Sequence, residues 1–395
     1  MHVVEKEFKD FVEKIDHVNN FYVAYSGGVD SQVLLYLSNK YIKENTTALH
    51  VNHGISDNAS NWEGFCEDTA NQYDLKIKKA KFQLKDEKSN LEEKARELRY
   101  NFFEENIQEN DYLMTGHHLD DQAETFMLRL MRGAGVDGLS SMEPKRVFNK
   151  GFLIRPLLNV SKEEIKEFAM LVGLKWVEDE SNTDTHYDRN FIRNEVMPLL
   201  KTRWKNANKS IAKSVSLCRE SKNGYEIIAE KELNRVSLNE NEILTDEFLK
   251  LDENTKKLVL RKWYKNKNLK MLDTKTLNVL INEVFSAKKG SKACFKGVHY
   301  TIRKGIDTVC FIENNSDFDF EVNKKDFKIS KDQDQRMYYK GMLKKIKVIL
   351  REENVNYWER DSYPVYLKDG IVLAVGNILS DHKSDIIVKK VYLKK

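Results

Sequence analysis

Ser26-Gly27-Gly28-Val29-Asp30-Ser31 brings two glycines, two hydroxyls and a carboxylate together within six residues. Paired glycines let the backbone approach an anion closely. A helix starting at Val29 would aim its free N–H groups and positive dipole end at the same point. Ser26 and Ser31 add hydroxyl donors. The chemistry implied is phosphate binding; the plainer alternative is a glycine turn between a strand and a helix. The segment is neither a G-x4-G-K-[ST] loop nor a G-x-G-x-x-G turn.

Two further clusters could complete such a site. His50-Val51-Asn52-His53-Gly54 closes an apolar run and reads either as nucleotide-facing or as a polar strand end. Gly116-His117-His118-Leu119-Asp120-Asp121-Gln122-Ala123-Glu124 reads as a strand end entering a helix. Asp121 and Glu124 are three apart and share a helical face. Imidazoles at His117 and His118 could hydrogen-bond phosphate or act as bases near neutral pH. Carboxylates beside phosphates hold Mg2+ or a cationic substrate. A capped helix with an acidic first turn, or a metal hydrolase, would use the same residue types. Arg129 and Arg132 lead into glycines at 133, 135 and 138, which suggests a flexible loop or lid, against a plain helix stop.

Positioning these groups requires strands that end where helices begin. Phe21–Tyr25, 46–52, 77–82 and 111–115 read as strands, and 61–73, 91–106 and 120–132 as helices. Alternation of this kind implies an α/β fold with a parallel sheet covered on both faces, binding ligands at the strands' carboxyl ends. Ser161, Glu164 and Gly173 frame another helix. Beyond about residue 215 the pattern changes to helices at 224–235 and 254–265, strands around 294–303 and 308–313, and a polar linker at 313–326. A helix at 342–353 and a hairpin at 364–375 close the chain. The division expected is 1–215, 216–315 and 325–395: a Rossmann-like domain, a mostly α middle domain and a small α+β domain.

The 395 residues are 41% hydrophobic and 32% charged, which fits a well-solvated globular chain. Mean hydropathy is -0.62, and no apolar run approaches the ~18–20 residues of a membrane span. No apolar leader is visible near Met1, so the compartment expected is the cytoplasm. Four cysteines lack CxxC or zinc spacing, so they are expected as free thiols. A net charge of +4 is too mild to argue for nucleic acid, but its distribution is informative. Basic residues interleave with aromatics at Lys201–Lys205, Arg261–Lys265 and Lys288–Lys304. The Trp263-Tyr264 pair could stack bases, or each stretch could be a solvated face around a buried aromatic.

The Ser26–Ser31 segment resembles the PP-loop of the N-type ATP pyrophosphatases, which cleave ATP between the α and β phosphates. The motifs HVNHG, ARELRY (95–100), GHHLDDQAET with RLMRGAGVDGL, RPLL (155–158) and DESNTDTHYDRNFIRNEVMPLL (179–200) occur in one order. Together they resemble the bacterial tRNA(Ile)-lysidine synthetase family, densely to residue 200 and in outline beyond. Trp358-Glu359-Arg360 with Pro364 is similar to that family's C-terminal domain.

The resemblance implies ATP and Mg2+ as cofactors, and tRNA(Ile) with a CAU anticodon and L-lysine as partners. ATP would adenylylate the C2 oxygen of the wobble cytidine, and lysine would displace AMP. Nucleotide contacts are then expected from Ser26, Gly27, Gly28, Val29, Asp30, Ser31, His50, Asn52, His53 and Gly116. Catalytic work falls to Asp30, His117, His118, Asp121, Glu124 and Arg189, with Asp30 and Asp121 as metal candidates. Arg189 and Arg193 could reach phosphate or tRNA, or tie a helix down through ion pairs. RNA contacts are expected from Arg132, Arg193, Arg203, Lys205, Arg261, Lys262, Trp358 and Arg360. Oligomeric state is left open between monomer and homodimer. A PP-loop thiolase is the rival, but it generally needs a cysteine pair or CxxC that this sequence lacks. Amidating synthetases would need a glutaminase nucleophile, and a non-catalytic tRNA-binding protein would not need both motifs intact.

Overall fold

The computed structural model describes residues 1–395 apart from 16, 57, 85–90, 179–186, 314–317, 324–326, 382–385 and 393–395. Residues 179–186 of the 179–200 motif therefore lie outside the described residues. The chain forms two compact units, Met1–Asn223 and Gly224–Lys395.

The first unit is built on strands β1 (Phe21–Ala24), β2 (Thr46–Asn52), β3 (Lys76–Lys81), β4 (Tyr112–Met114), β5 (Lys145–Phe148) and β6 (Gly151–Ile154). Its helices are α1 (Val3–Val12), α2 (Val29–Ile42), α3 (Ala59–Gln72), α4 (Leu91–Asn106), α5 (Leu119–Met131), α6 (Val136–Leu139), α7 (Lys162–Leu171), α8 (Asp188–Phe191) and α9 (Met197–Arg203). Helix α10 (Ala207–Val236) crosses the unit boundary and starts well before the expected 224.

The strand order is β3-β2-β1-β4-β6-β5. Strand β1 pairs in parallel with β2 and β4, and β4 with β6. Strand β5 is antiparallel to β6, so the expected parallel sheet carries one antiparallel edge. That hairpin is short and its outer strand mostly exposed, so it carries little periodic signal. Val23, Val33, Leu34, Leu37 and Phe168 fill one core layer. Tyr22, Leu49, Phe103, Leu113 and Leu153 fill the other. Helices therefore cover both faces. The chain leaves β1 toward β2 on one side and returns to β4 on the other, which opens a cleft at their carboxyl ends.

The second unit holds a five-stranded antiparallel sheet formed by Ser237–Asn239, Glu242–Leu244, Thr308–Glu313, Tyr300–Lys304 and Cys294–Lys296 in spatial order. Trp263 and Tyr264 pack in its core with Phe248, Phe285 and Ile302. A four-stranded sheet follows, including the expected hairpin Val365–Lys368 with Ile371–Val375. Two expectations change here. The helix expected over 342–353 begins only at Ile346, because Met342–Lys345 pairs with Arg336–Tyr339 as a hairpin. The polar stretch 313–326 is more than a linker, since its alternating Phe318–Val322 pairs antiparallel with Val388–Tyr392.

Candidate active site

The loop between β1 and α2 takes its shape from its glycines. Gly27 has φ +85, and a Cβ there would stand 3.0 Å from Cys66 Sγ and from Val177 Cγ2. Gly28 is the N-cap of α2 and carries no side-chain cap, so the first N–H groups stay available to an anion. Ser31 Oγ donates to the Gly28 carbonyl (3.0 Å) and accepts from Ser26 N (3.2 Å). These bonds close the loop over the helix start, with Val29 buried beneath it.

A cavity of about 800 Å³ opens from this loop. Ser26, Asp30, Ser31, His50, Asn52, His53, Gly116, His117 and Asp121 line it, whereas Gly27, Gly28, Val29, His118, Glu124 and Arg189 do not. Gly116 is packed tightly on Asp30, since a Cβ there would lie 3.0–3.2 Å from Asp30 atoms and push against them. Asn52 is engaged locally: its amide donates to Glu63 (2.8 Å) and accepts from Gly54 N (2.9 Å), shaping the loop after β2.

Three histidines face the cavity as neutral groups. Burial lowers the His50 pKa, and burial aided by Arg99 pushes His53 down to about 4. Burial likewise brings His117 to about 4, with its Nδ1 2.7 Å from Thr115 Oγ1. Protonation near neutral pH, one option open in the sequence, is therefore disfavoured at these three. His50 Nδ1 lies 2.9 Å from the Tyr25 carbonyl, so it carries the proton and Nε2 is left as an acceptor. His50 Nε2 and His53 Nδ1 are buried without partners among the described residues. An orphaned acceptor on His50 and an unpartnered ring nitrogen on His53, beside an uncapped helix start, fit a ligand with an anionic end and polar hydrogen-bonding groups, as a nucleotide has.

His118 caps α5: its Nδ1 accepts from Asp121 N (3.4 Å), and Asp121 Oδ2 accepts from His118 N (3.0 Å). Asp121 and Glu124, almost fully buried, bind two arginines. Arg189 reaches Asp121 at 2.8 Å and Glu124 at 2.9 Å. Arg193 reaches them at 3.1 and 2.7 Å. Burial pushes the Asp121 carboxyl up, but His118 and Arg189 outweigh it and hold the group below the ordinary carboxylate range. The arginines come from α8 and from a π-helical turn, Ile192–Val196, that follows it. Of the two roles open for them, the ion-pair tie is the one formed here.

Among the described residues no cluster of three His, Cys, Asp or Glu could cage a metal. Asp121 is held by arginines, and Asp30 by Lys162 Nζ at 2.7 Å to each oxygen. The residues do not fit a protein-built Mg2+ site.

Sequence reasoning missed Lys162, and missed Arg96, Arg99 and Tyr100 of α4 as cavity lining. The three-residue spacing of Arg96 and Arg99 could have placed them on one face. Nothing in the sequence singled out Lys162. The expected lid is fastened: Arg129 donates to Gly138 O (2.7 Å), and Gln122 exchanges two 2.8 Å hydrogen bonds with the Met142 backbone.

The proposed RNA residues differ in exposure. Arg203 and Lys205 are exposed beside Trp204, which is 61% exposed. Arg132 is exposed and lies 3.4 Å from Asp188. In the second unit, Lys262 pairs with Glu230 at 2.6 Å, and Arg261 is half-buried. Trp263 and Tyr264 cannot stack bases, because they are 2% and 1% exposed; the Trp263 indole donates to Glu240 O at 3.0 Å. Trp358 lies under the Arg303 guanidinium at 5.6 Å, and Arg360 donates to Val355 O at 2.9 Å.

Residues 1–200 match the PP-loop domain family. Over 94% of its own length and 94% of the relative's, the chain is 31% identical to a tRNA(Ile)-lysidine synthase of Legionella pneumophila strain Paris. The chain belongs to the tRNA(Ile)-lysidine synthase family. A Coxiella burnetii synthase of that name is 35% identical over 74% of this chain and 66% of its own. A Vibrio vulnificus one is 46% identical over 50% of this chain and 46% of its own. Membership of this family accounts for the pairing of a PP-loop with the GHHLDDQAET helix in one cleft. No helix among the described residues is long and apolar enough to cross a membrane.

Proposed function

We propose that this chain is an ATP-dependent carbon–nitrogen ligase that joins L-lysine to C2 of the wobble cytidine in tRNA(Ile) with a CAU anticodon, releasing AMP and pyrophosphate. The observation that carries the reading is one cleft lined both by an uncapped phosphate loop and by Asp121, which shares two arginines with the buried Glu124. The first suits an ATP triphosphate, the second the ammonium of a lysine. ATP supplies an adenylyl group that turns the C2 oxygen into a leaving group.

The residues then divide the work. Amides of Gly28, Val29 and Asp30, with the Ser26 and Ser31 hydroxyls, hold the phosphates and stabilise charge developing on pyrophosphate. Neutral His50 and His53 accept donors from the nucleotide. Asp121 and Glu124 take the substrate's ammonium in exchange for part of their arginine contacts. Freed guanidinium from Arg189 or Arg193 then faces phosphate or RNA. Neutral His117, on the cavity wall, hydrogen-bonds the nucleotide or the reacting base, and the proton lost when the amine attacks passes to water. Mg2+ would be carried by the phosphates of ATP, where it would supply charge neutralisation. Residues 1–215 form the catalytic part, and 216–315 and 325–395 bind tRNA.

The test uses labelled lysine, ATP, Mg2+ and the CAU-anticodon tRNA(Ile) transcript, with methionine tRNA as control. ATP-dependent label in tRNA(Ile) alone supports the reading. Pyrophosphate release without lysine incorporation would redirect it to another nucleophile, and absence of both would reject it.

A further inference from the structure

Lys162 opens α7 and reaches across to the first turn of α2. Its Nζ lies 2.7 Å from both oxygens of Asp30, and both side chains are part-exposed, at 34% and 28%. The reach is built in. Lys162 N donates to Asp120 Oδ2 at 2.9 Å, and Leu119 N donates to Val160 O at 2.8 Å, so the start of α7 is fastened to the start of α5. A capping box between Ser161 and Glu164 fixes the helix entry. Asp30 is confined from other directions by Gly116, and its Oδ1 stands 3.7 Å from His118 Nε2. Asp30 lines the cavity, whereas Lys162 does not.

A carboxylate in the first turn after an anion-binding loop opposes the anion that the loop is shaped to bind. Exposed ion pairs add little to stability, so a pair held from three elements at this point calls for another role. We propose that Lys162 is a positioning residue for the nucleotide site: it compensates the Asp30 charge and fixes its orientation so that the triphosphate can enter. The proposal rests on the ATP reading above.

The test measures affinity for a fluorescent, α,β-non-hydrolysable ATP analogue in EDTA, without tRNA or lysine. Lys162→Met is expected to weaken binding about tenfold or more, because Asp30 is left as a bare charge near the phosphates. Lys162→Arg should bind like the parent protein. Adding Asp30→Asn to Lys162→Met should restore affinity to within about threefold of Asp30→Asn alone, the coupling expected of residues acting through one contact. A lysine with a merely structural role would not be rescued by removing its partner's charge. Unchanged affinity in Lys162→Met, or no rescue in the double variant, overturns the proposal. Should Lys162→Met melt early, Lys162→Gln makes the same comparison, and Asp30→Asn alone should bind at least as tightly as the parent. The parent is also titrated with Mg2+ in place of EDTA. If it binds no analogue in either buffer, the ATP reading fails and the proposal falls with it. Binding only with Mg2+ overturns the proposal alone, since the metal and not Lys162 then compensates Asp30. If it binds but makes no lysidine, only the choice of second substrate fails.

Discussion

The cleft's chemistry is set by which side chains are kept neutral and which are kept charged. His53 and His117 titrate near 4 against 6.5 for a free imidazole. In the unfolded chain they bind protons at higher pH than in the fold, so their contribution is fully present above about pH 6.5 and is lost as pH falls through 4. Thermal stability should therefore drop between pH 6.5 and 4, and His117→Gln should flatten part of that drop in pH-dependent melts. Asp30→Ala should abolish lysine incorporation while the circular dichroism spectrum stays unchanged; full activity would remove Asp30 from the mechanism. The pairing of Asp121 and Glu124 with arginines carries a structural cost as well. Glu124→Ala would leave Arg189 and Arg193 short of their main partner, and destabilisation of about 3 kcal/mol is expected in urea unfolding.

At the level of elements, the site depends on two strand-to-helix turns meeting at the point where the chain reverses direction across the sheet. Gly27 belongs to this scale, because its φ and its crowding by α3 and Val177 are backbone properties. Gly27→Ala should lower stability by about 1–3 kcal/mol and weaken nucleotide binding in the same preparation, read by melting and by analogue titration. The turns were legible from residue order: glycines, a β-rich run before them and an amphipathic run after. The antiparallel β5–β6 edge and the strand at Met342–Lys345 were not, since four-residue strands leave too short a period to distinguish from coil or helix. Residues 133–142 show the converse, because glycine density suggested mobility while Arg129 fastens Gly138 and Gln122 fastens Met142 from a neighbouring helix.

For the whole molecule, the question is where RNA lies, and burial divides the sequence candidates. Trp263 is core, so Trp263→Ala should cost about 3–5 kcal/mol in stability and affect tRNA binding only through unfolding. Arg203→Ala with Lys205→Ala should leave the melting temperature unchanged. It should also reduce the slope of log affinity against log salt by about 1–2 in a tRNA titration, as expected when phosphate contacts are removed. An unchanged slope would take the Lys201–Lys205 stretch out of the RNA surface.

Sequence alone determined the α/β architecture, the phosphate loop and the family, because these rest on local order: glycines at a helix start, strands alternating with helices, motifs in one succession. Tertiary structure alone decided which charges meet. Lys162 lies 132 residues from Asp30, and Arg193 lies 69 from Glu124. Such pairs are fixed by how α5, α7 and α8 pack at the end of a sheet, and a linear pattern holds no record of that distance. Packing within the second unit decided that Trp263 and Tyr264 are buried, because an aromatic flanked by lysines looks alike in sequence whether its ring faces the core or the solvent.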